Sequence, residues 1–91
     1  MNKSELIVNL SESSLLSKTD AKVCVDTILE AITAGIVTGD GVEIREFGSF
    51  YKKHRKARTG INPKTNERTQ VEEKFVPFFK PSKLLKEVVN N

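Results

Sequence analysis

The sequence has one cysteine, one histidine and no tryptophan in 91 residues. A lone Cys24 closes no internal disulfide, which suits a reducing compartment. A lone His54 has no second His or Cys at ligand spacing, so no metal site is expected. No Ser-His-Asp arrangement, phosphate loop or paired-carboxylate signature stands out, and neither catalysis nor a cofactor is expected. No apolar run approaches the ~20 residues of a membrane span, because charged or polar residues interrupt every stretch. Met1-Asn2-Lys3-Ser4-Glu5 lacks the apolar segment and small-residue cleavage site of a signal peptide, so the expected location is cytoplasmic. No internal repeat or low-complexity tract occurs.

The net charge is only +3, but its distribution is uneven. Residues 51–68 hold Lys52, Lys53, Arg55, Lys56, Arg58, Lys64 and Arg68 against a single acid, Glu67. The rest of the chain is net acidic. An acidic body with one strongly basic segment points to a polyanion partner for that segment; a solvated basic loop is the alternative on charge alone.

Periodicity predicts three helices. Residues 3–14 place Leu6, Ile7 and Leu10 on one face, with Asn2 and Glu5 at capping-box spacing. Residues 18–38 carry a stripe of Ala21, Cys24, Val25, Ile28, Ile32 and Ile36, started by Ser17-Lys18-Thr19-Asp20 and stopped by Gly39. Cys24 on that stripe is expected in the core. Ser82 starts a last helix with Leu84, Leu85, Val88 and Val89 on its apolar side. Between them, Asp40-Gly41 turns into a strand at Val42–Arg45, which puts Glu43 and Arg45 on one face. The glycine of Phe47-Gly48-Ser49-Phe50 suggests a bulge or a tight strand connection. Tyr51 to Thr59 is polar and basic, residues 60–66 are turn-rich around Pro63, and Arg68 to Phe79 returns as a strand in which Pro77 marks an edge or irregularity.

Residues 51–74 have few apolar groups, and a hairpin that polar is marginal alone. The remaining ~70 residues are marginal for one core. They nonetheless carry Phe47, Phe50, Phe75, Phe78, Phe79 and several Leu and Ile. Two subunits would bury the excess, with Phe47, Phe50, Phe79, Ile28, Ile32 and Ile36 as the expected dimer core. A small monomer with an ordinary phenylalanine core is the alternative.

At Phe47-Gly48-Ser49-Phe50, at Ala57-Arg58-Thr59-Gly60-Ile61-Asn62-Pro63-Lys64-Thr65 and at Val76-Pro77-Phe78-Phe79-Lys80-Pro81-Ser82-Lys83-Leu84-Leu85-Lys86, the sequence resembles the HU/integration host factor family of bacterial DNA-bending proteins. The resemblance covers nearly the whole chain, and Val42-Glu43-Ile44-Arg45 looks similar to the family's integration host factor beta subunits. It implies an α+β fold over one domain, residues 1–91. The expected assembly is an intertwined dimer with a helical base and a saddle of three antiparallel strands per subunit. Residues 1–50 and 75–91 would form the body and 51–74 the β-ribbon arm. A homodimer is expected first, a heterodimer second. Double-stranded DNA is the implied partner and the nucleoid the implied location. Three positions depart from the family pattern: Ile61 where a basic residue is common, Asn66 where glycine is usual, and Glu46 where glycine commonly precedes the Phe-Gly motif. Asn66 tolerates the left-handed conformation, so the turn should survive. Glu46 puts an acid near the saddle.

The resemblance gives these residues roles. Pro63 near the arm tip would wedge between base pairs in the minor groove, flanked by Ile61 and Asn62. A rigid ring can enter a base step without stranding a donor. Arg58 would reach minor-groove acceptors, while Lys52, Lys53, Arg55, Lys56, Lys64 and Arg68 would meet phosphates. Strand alternation forbids all of them from facing DNA together. Lys3, Lys80, Lys83 and Lys86 would take outer phosphates, and Arg45 would sit near DNA on the saddle or form a surface ion pair with Glu43. Lys3 is also a candidate to pair with Asp26. The function implied is architectural binding and bending with low sequence specificity. A sequence-selective factor reading DNA deformability is the alternative. An RNA-associated role is disfavoured because residues 52–68 hold no aromatic ring besides His54, leaving nothing to stack single strands.

Overall fold

The computed structural model describes all 91 residues, which divide into two compact units, Met1–Ala34 and Gly35–Asn91. In the first unit, α1 (Lys3–Ser13) starts where Asn2 Oδ1 accepts from Glu5 N at 2.8 Å. Helix α2 (Lys18–Thr38) starts the same way, Ser17 Oγ accepting from Asp20 N at 3.1 Å. Both caps satisfy an amide that the first helical turn leaves without a partner. Ala21 is fully buried and Val25 is 6% exposed; no other apolar side chain of the chain is buried. The expected stripe on α2 is thus only partly covered. Ile32 and Ile36 are half-buried, Ile28 is 57% exposed, and Cys24 is exposed rather than in a core.

The second unit takes in the end of α2, which stops at Gly39 with φ 89. A three-stranded antiparallel sheet follows, in the order β1 (Val42–Ile44), β2 (Gly48–Arg55), β5 (Lys74–Pro81). Between β2 and β5 in sequence, β3 (Arg58–Ile61) and β4 (Arg68–Val71) form a separate two-stranded ribbon. Helix α3 (Lys83–Val89) closes the chain, its first turn capped by Ser82 Oγ, which accepts from Leu85 N at 3.0 Å. Ser82 also donates to the β1–β2 turn, its Oγ to Glu46 O at 2.8 Å and its N–H to Phe47 O at 2.9 Å.

The register of β2 against β5 sorts the sheet into two faces. Phe50 opposes Phe79, Lys52 opposes Pro77 and His54 opposes Phe75; on the other face Tyr51 opposes Phe78, Lys53 opposes Val76 and Arg55 opposes Lys74. The first face carries the aromatic cluster. The Phe50 and Phe79 rings are 4.7 Å apart, and Phe47 lies 5.5 Å from Phe79.

Several expectations change. Residues 68–79 are two strands, interrupted at Glu72-Glu73, and the outgoing strand is interrupted at Lys56-Ala57. The body ladder ends where Arg55 opposes Lys74, and like charges directly opposite one another weaken pairing. Pro77 sits within β5, where a residue without an N–H is tolerated because β5 is an edge strand. Arg45 is not in a strand: β1 stops at Ile44, and Arg45-Glu46 form the centre of a turn closed by Phe47 N donating to Ile44 O at 3.0 Å. Gly48 is no bulge. It pairs regularly with Ile44 and Pro81, and a Cβ there would lie 2.6 Å from both Lys80 O and the Phe79 ring.

Candidate nucleic-acid interface

The tip of the β3–β4 ribbon is held by its own backbone and side chains. Asn62 N donates to Glu67 O at 2.8 Å, and Asn66 N donates to Asn62 O at 2.7 Å. Asn62 Oδ1 accepts from Lys64 N at 3.0 Å, spanning Pro63, and Thr65 Oγ1 accepts from Glu67 N at 3.3 Å. Such side-chain turns are what Asn and Thr form where the ladder stops. Asn66 has φ 57, the left-handed conformation expected of it. Pro63 is thereby presented, exposed, on a loop braced from both sides.

The cations are distributed by register. On the ribbon, Arg58 faces Val71 and Ile61 faces Arg68, so Arg58 and Arg68 point to opposite faces. At the ribbon root, Lys53, Arg55, Lys56, Arg58 and Lys74 line an open hollow of 760 Å³ together with Glu72. Lys74 had not been singled out from the sequence; its signal was its basic charge at the end of the arm segment. None of the seven cations of residues 51–68 has a carboxylate partner, since the chain's ion pairs are Lys3–Asp26, Lys22–Asp26 and His54–Glu73. Apart from Lys52, whose ammonium is held at a helix end, they are left without a compensating charge, as a phosphate-binding surface requires.

Lys52 is placed differently from its neighbours. Its Nζ donates to Val37 O at 3.1 Å, at the C-terminal end of α2, and lies 4.7 Å from the centroid of the Phe75 ring. A cation there is favoured by the helix dipole. His54 is exposed, its Nε2 3.3 Å from Glu73 Oε2 and its ring 5.1 Å from that of Phe75.

The outer candidates do not form one group. Arg45, Lys80 and Lys83 come together around a second hollow of 330 Å³ that also includes Glu43 and Glu46, without an Arg45–Glu43 ion pair. Lys86 lies apart, in the last turn of α3. Glu46 does more than add an acid, because its φ is 67, a conformation that favours glycine. In the first unit, Lys3 Nζ meets Asp26 Oδ1 at 2.6 Å while Lys22 holds Oδ2 at 2.6 Å. The hydrogen bonds from Lys22 and then Lys3 hold the Asp26 carboxyl below its usual range, and the bond to Asp26 raises Lys22. No helix is long and apolar enough to cross a membrane.

A proline-tipped ribbon of unpaired cations, standing on a small sheet with helices before and after it, defines an architectural nucleic-acid-binding protein. The chain matches the Bacterial DNA-binding protein family over residues 1–90 and belongs to it, the family of HU and integration host factor. It is 47% identical over 92 residues to the integration host factor subunit beta of Marinobacter nauticus, covering 100% of this chain and 94% of that protein. To the same subunit of Pseudomonas putida it is 46% identical over 91 residues, covering 99% and 93%. Among solved structures, the HU of an Anabaena HU–DNA cocrystal superposes with a TM-score of 0.89 at 40% identity, covering 98% of this chain and 97% of that one. HU from Thermotoga maritima gives 0.69 at 37% identity, covering 98% of each chain. The chain is thus an architectural DNA-binding and DNA-bending protein, not an enzyme.

Proposed function

We propose that this chain works as a dimer in the nucleoid, that two β3–β4 arms grip duplex DNA in its minor groove, and that Pro63 bends the duplex by entering a base step. The single observation that carries this reading is the ribbon itself: a separate sheet, free of carboxylate partners along its cations, with Pro63 held at its braced tip. Unstacking a base step costs on the order of a few kcal/mol, and phosphate contacts made by the bent flanks offset it. Lys53, Arg55, Lys56, Arg58, Lys64 and Arg68 supply the arm contacts, and Lys3, Arg45, Lys80, Lys83 and Lys86 the outer ones. Ile61 and Asn62 flank the wedge. The chain acts as one domain, with residues 1–50 and 75–91 as body and 51–74 as arm.

Dimerisation is supported by how little one chain buries. Phe47 is 43% exposed, Ile28 57% and Val88 64%. Large apolar side chains left exposed in such number mark a surface suited to a partner. Covering it would bring Phe47, Phe50, Phe79, Ile28, Ile32 and Ile36 into a shared core. A second reading has its own support: the similar integration host factor proteins are named as beta subunits. On that reading the partner is a different subunit and the pair selects deformable sites. Light scattering of the purified chain and titration of a mixed-sequence duplex across salt concentrations test both. A dimer that binds any duplex, with affinity falling steeply in salt, supports the first reading. A chain that pairs and binds tightly only with a second subunit supports the other, and a monomer indifferent to DNA contradicts both.

A further inference from the structure

We infer that Lys52, Phe75 and His54 are positioning residues for the arm: they brace the break between the two sheets against the end of α2, and so set the bend that Pro63 produces. Lys52 Nζ donates to Val37 O at 3.1 Å, and its stem passes Gly39, where a Cβ would lie 3.6 Å from Lys52 Cε. The same ammonium is 4.7 Å from the centroid of the Phe75 ring. The Phe75 ring is 5.1 Å from that of His54, its partner in the ladder. His54 Nε2 in turn lies 3.3 Å from Glu73 Oε2. Glu73 belongs to the Glu72-Glu73 interruption itself. A continuous line of side-chain contacts therefore runs from the last turn of α2, along one face of the sheet, to the root of the ribbon.

The break has use for a brace. Lys56-Ala57 and Glu72-Glu73 make no ladder pairs, which leaves the pitch of β3–β4 on β2–β5 without ladder bonds to fix it. From Ala57 to Pro63 the extended chain spans about 20 Å. A tilt of roughly 10° at the break then carries the tip about 3 Å, nearly the ~3.4 Å from one base pair to the next. A wedge misplaced by that much meets the wrong step. The carbonyl end of α2 suits an anchor, because an orphan carbonyl and the helix dipole both favour a cation there. The face of the Phe75 ring favours the same ammonium. In this role the three residues touch no phosphate and act through Pro63. The inference rests on the reading that the arms grip the duplex and Pro63 bends it, and adds what aims them.

The test reads the bend of an end-labelled duplex by energy transfer at saturating whole protein, with affinity measured across salt in parallel. Wedge kinks amount to about 20–90°, and Lys52→Ala should lower the bend by about 20° or more. Its affinity should stay within about threefold of the parent and its salt slope should not change, because no phosphate contact is lost. Lys52→Met keeps the stem without the cation and should bend as poorly as Lys52→Ala. Lys52→Arg returns a cation to Val37 O and the Phe75 ring and should restore the parent bend, which separates the cation's placement from simple packing. Phe75→Leu keeps an apolar side chain in β5, removes the ring between Lys52 and His54, and should lower the bend likewise. Lys52→Ala and Phe75→Leu interrupt the line independently, so the test stands if thermal melts show that one of them does not fold. A parent-like bend in the folded alanine or leucine variant, a bend kept by Lys52→Met, a bend that Lys52→Arg fails to restore, or a salt slope that falls in Lys52→Ala overturns the inference while leaving the arm reading intact. A parent that leaves the duplex straight would fail the arm reading, and this inference with it.

Discussion

Lys52 and Lys53 are neighbours in the chain and stand on opposite faces of β2, Lys52 bonded to Val37 O at the end of α2 and Lys53 over the Phe78 ring. Identical side chains therefore have different work. Lys53→Ala should shrink the slope of log affinity against log salt by about 1 for each copy of the chain, with little effect on folding. Lys52→Ala should do the reverse, lowering folding stability by about 1 kcal/mol through loss of one helix-terminal hydrogen bond. Salt titrations and denaturant melts of both variants check this.

Glu46 occupies the left-handed region with φ 67. A non-glycine residue is disfavoured there by roughly 1–2 kcal/mol. Glu46→Gly should recover about 1 kcal/mol, the larger freedom of glycine in the unfolded chain offsetting part of the gain. A thermal melt at fixed protein concentration should show the midpoint rise.

Gly48 has no room for a side chain, with Lys80 O and the Phe79 ring each 2.6 Å from where a Cβ would stand. Gly48→Ala must push apart β2 and β5 or displace Phe79 from the aromatic cluster. A loss of about 1–3 kcal/mol is expected in denaturant unfolding.

Asp26 is held between Lys3 and Lys22, and its carboxyl titrates below the ordinary 3.8. A folded pKa below the unfolded one stabilises above the unfolded value and is lost as pH falls through the folded value. The stability difference between the parent and Asp26→Asn should therefore be constant above about pH 5 and shrink as acid is added. Lys22 has the opposite sense: raised above 10.5, its contribution is complete below that value and disappears as pH rises through the raised one. The Lys3 and Lys22 side chains are 54% and 63% exposed, so the effect is small and best read as a difference between variants.

Much of this was legible locally. The caps at Asn2, Ser17 and Ser82 need only neighbouring residues, and all three stand where the local sequence put them; the left-handed Asn66 was expected from the glycine that the family usually has there. The interruption of both arm strands was not legible, because neither Lys56-Ala57 nor Glu72-Glu73 contains glycine or proline; it follows instead from the pairing of Arg55 with Lys74. The division of labour between Lys52 and Lys53 depends on register, and a shift of one residue would exchange them. Cys24 was misplaced because a stripe marks which residues share a helix face without saying how much of that face one chain covers. At Glu46 the family habit of glycine was visible, but only the backbone reveals why.

The most direct measurement is the end-to-end distance of a short duplex labelled at both ends, followed by energy transfer as protein is added at low salt. With the parent chain the ends should draw together as binding saturates. With Pro63→Ala, binding should persist through the arm cations while the ends stay nearly as far apart as in free DNA. Equal shortening by the two proteins would contradict the wedge at the arm tip.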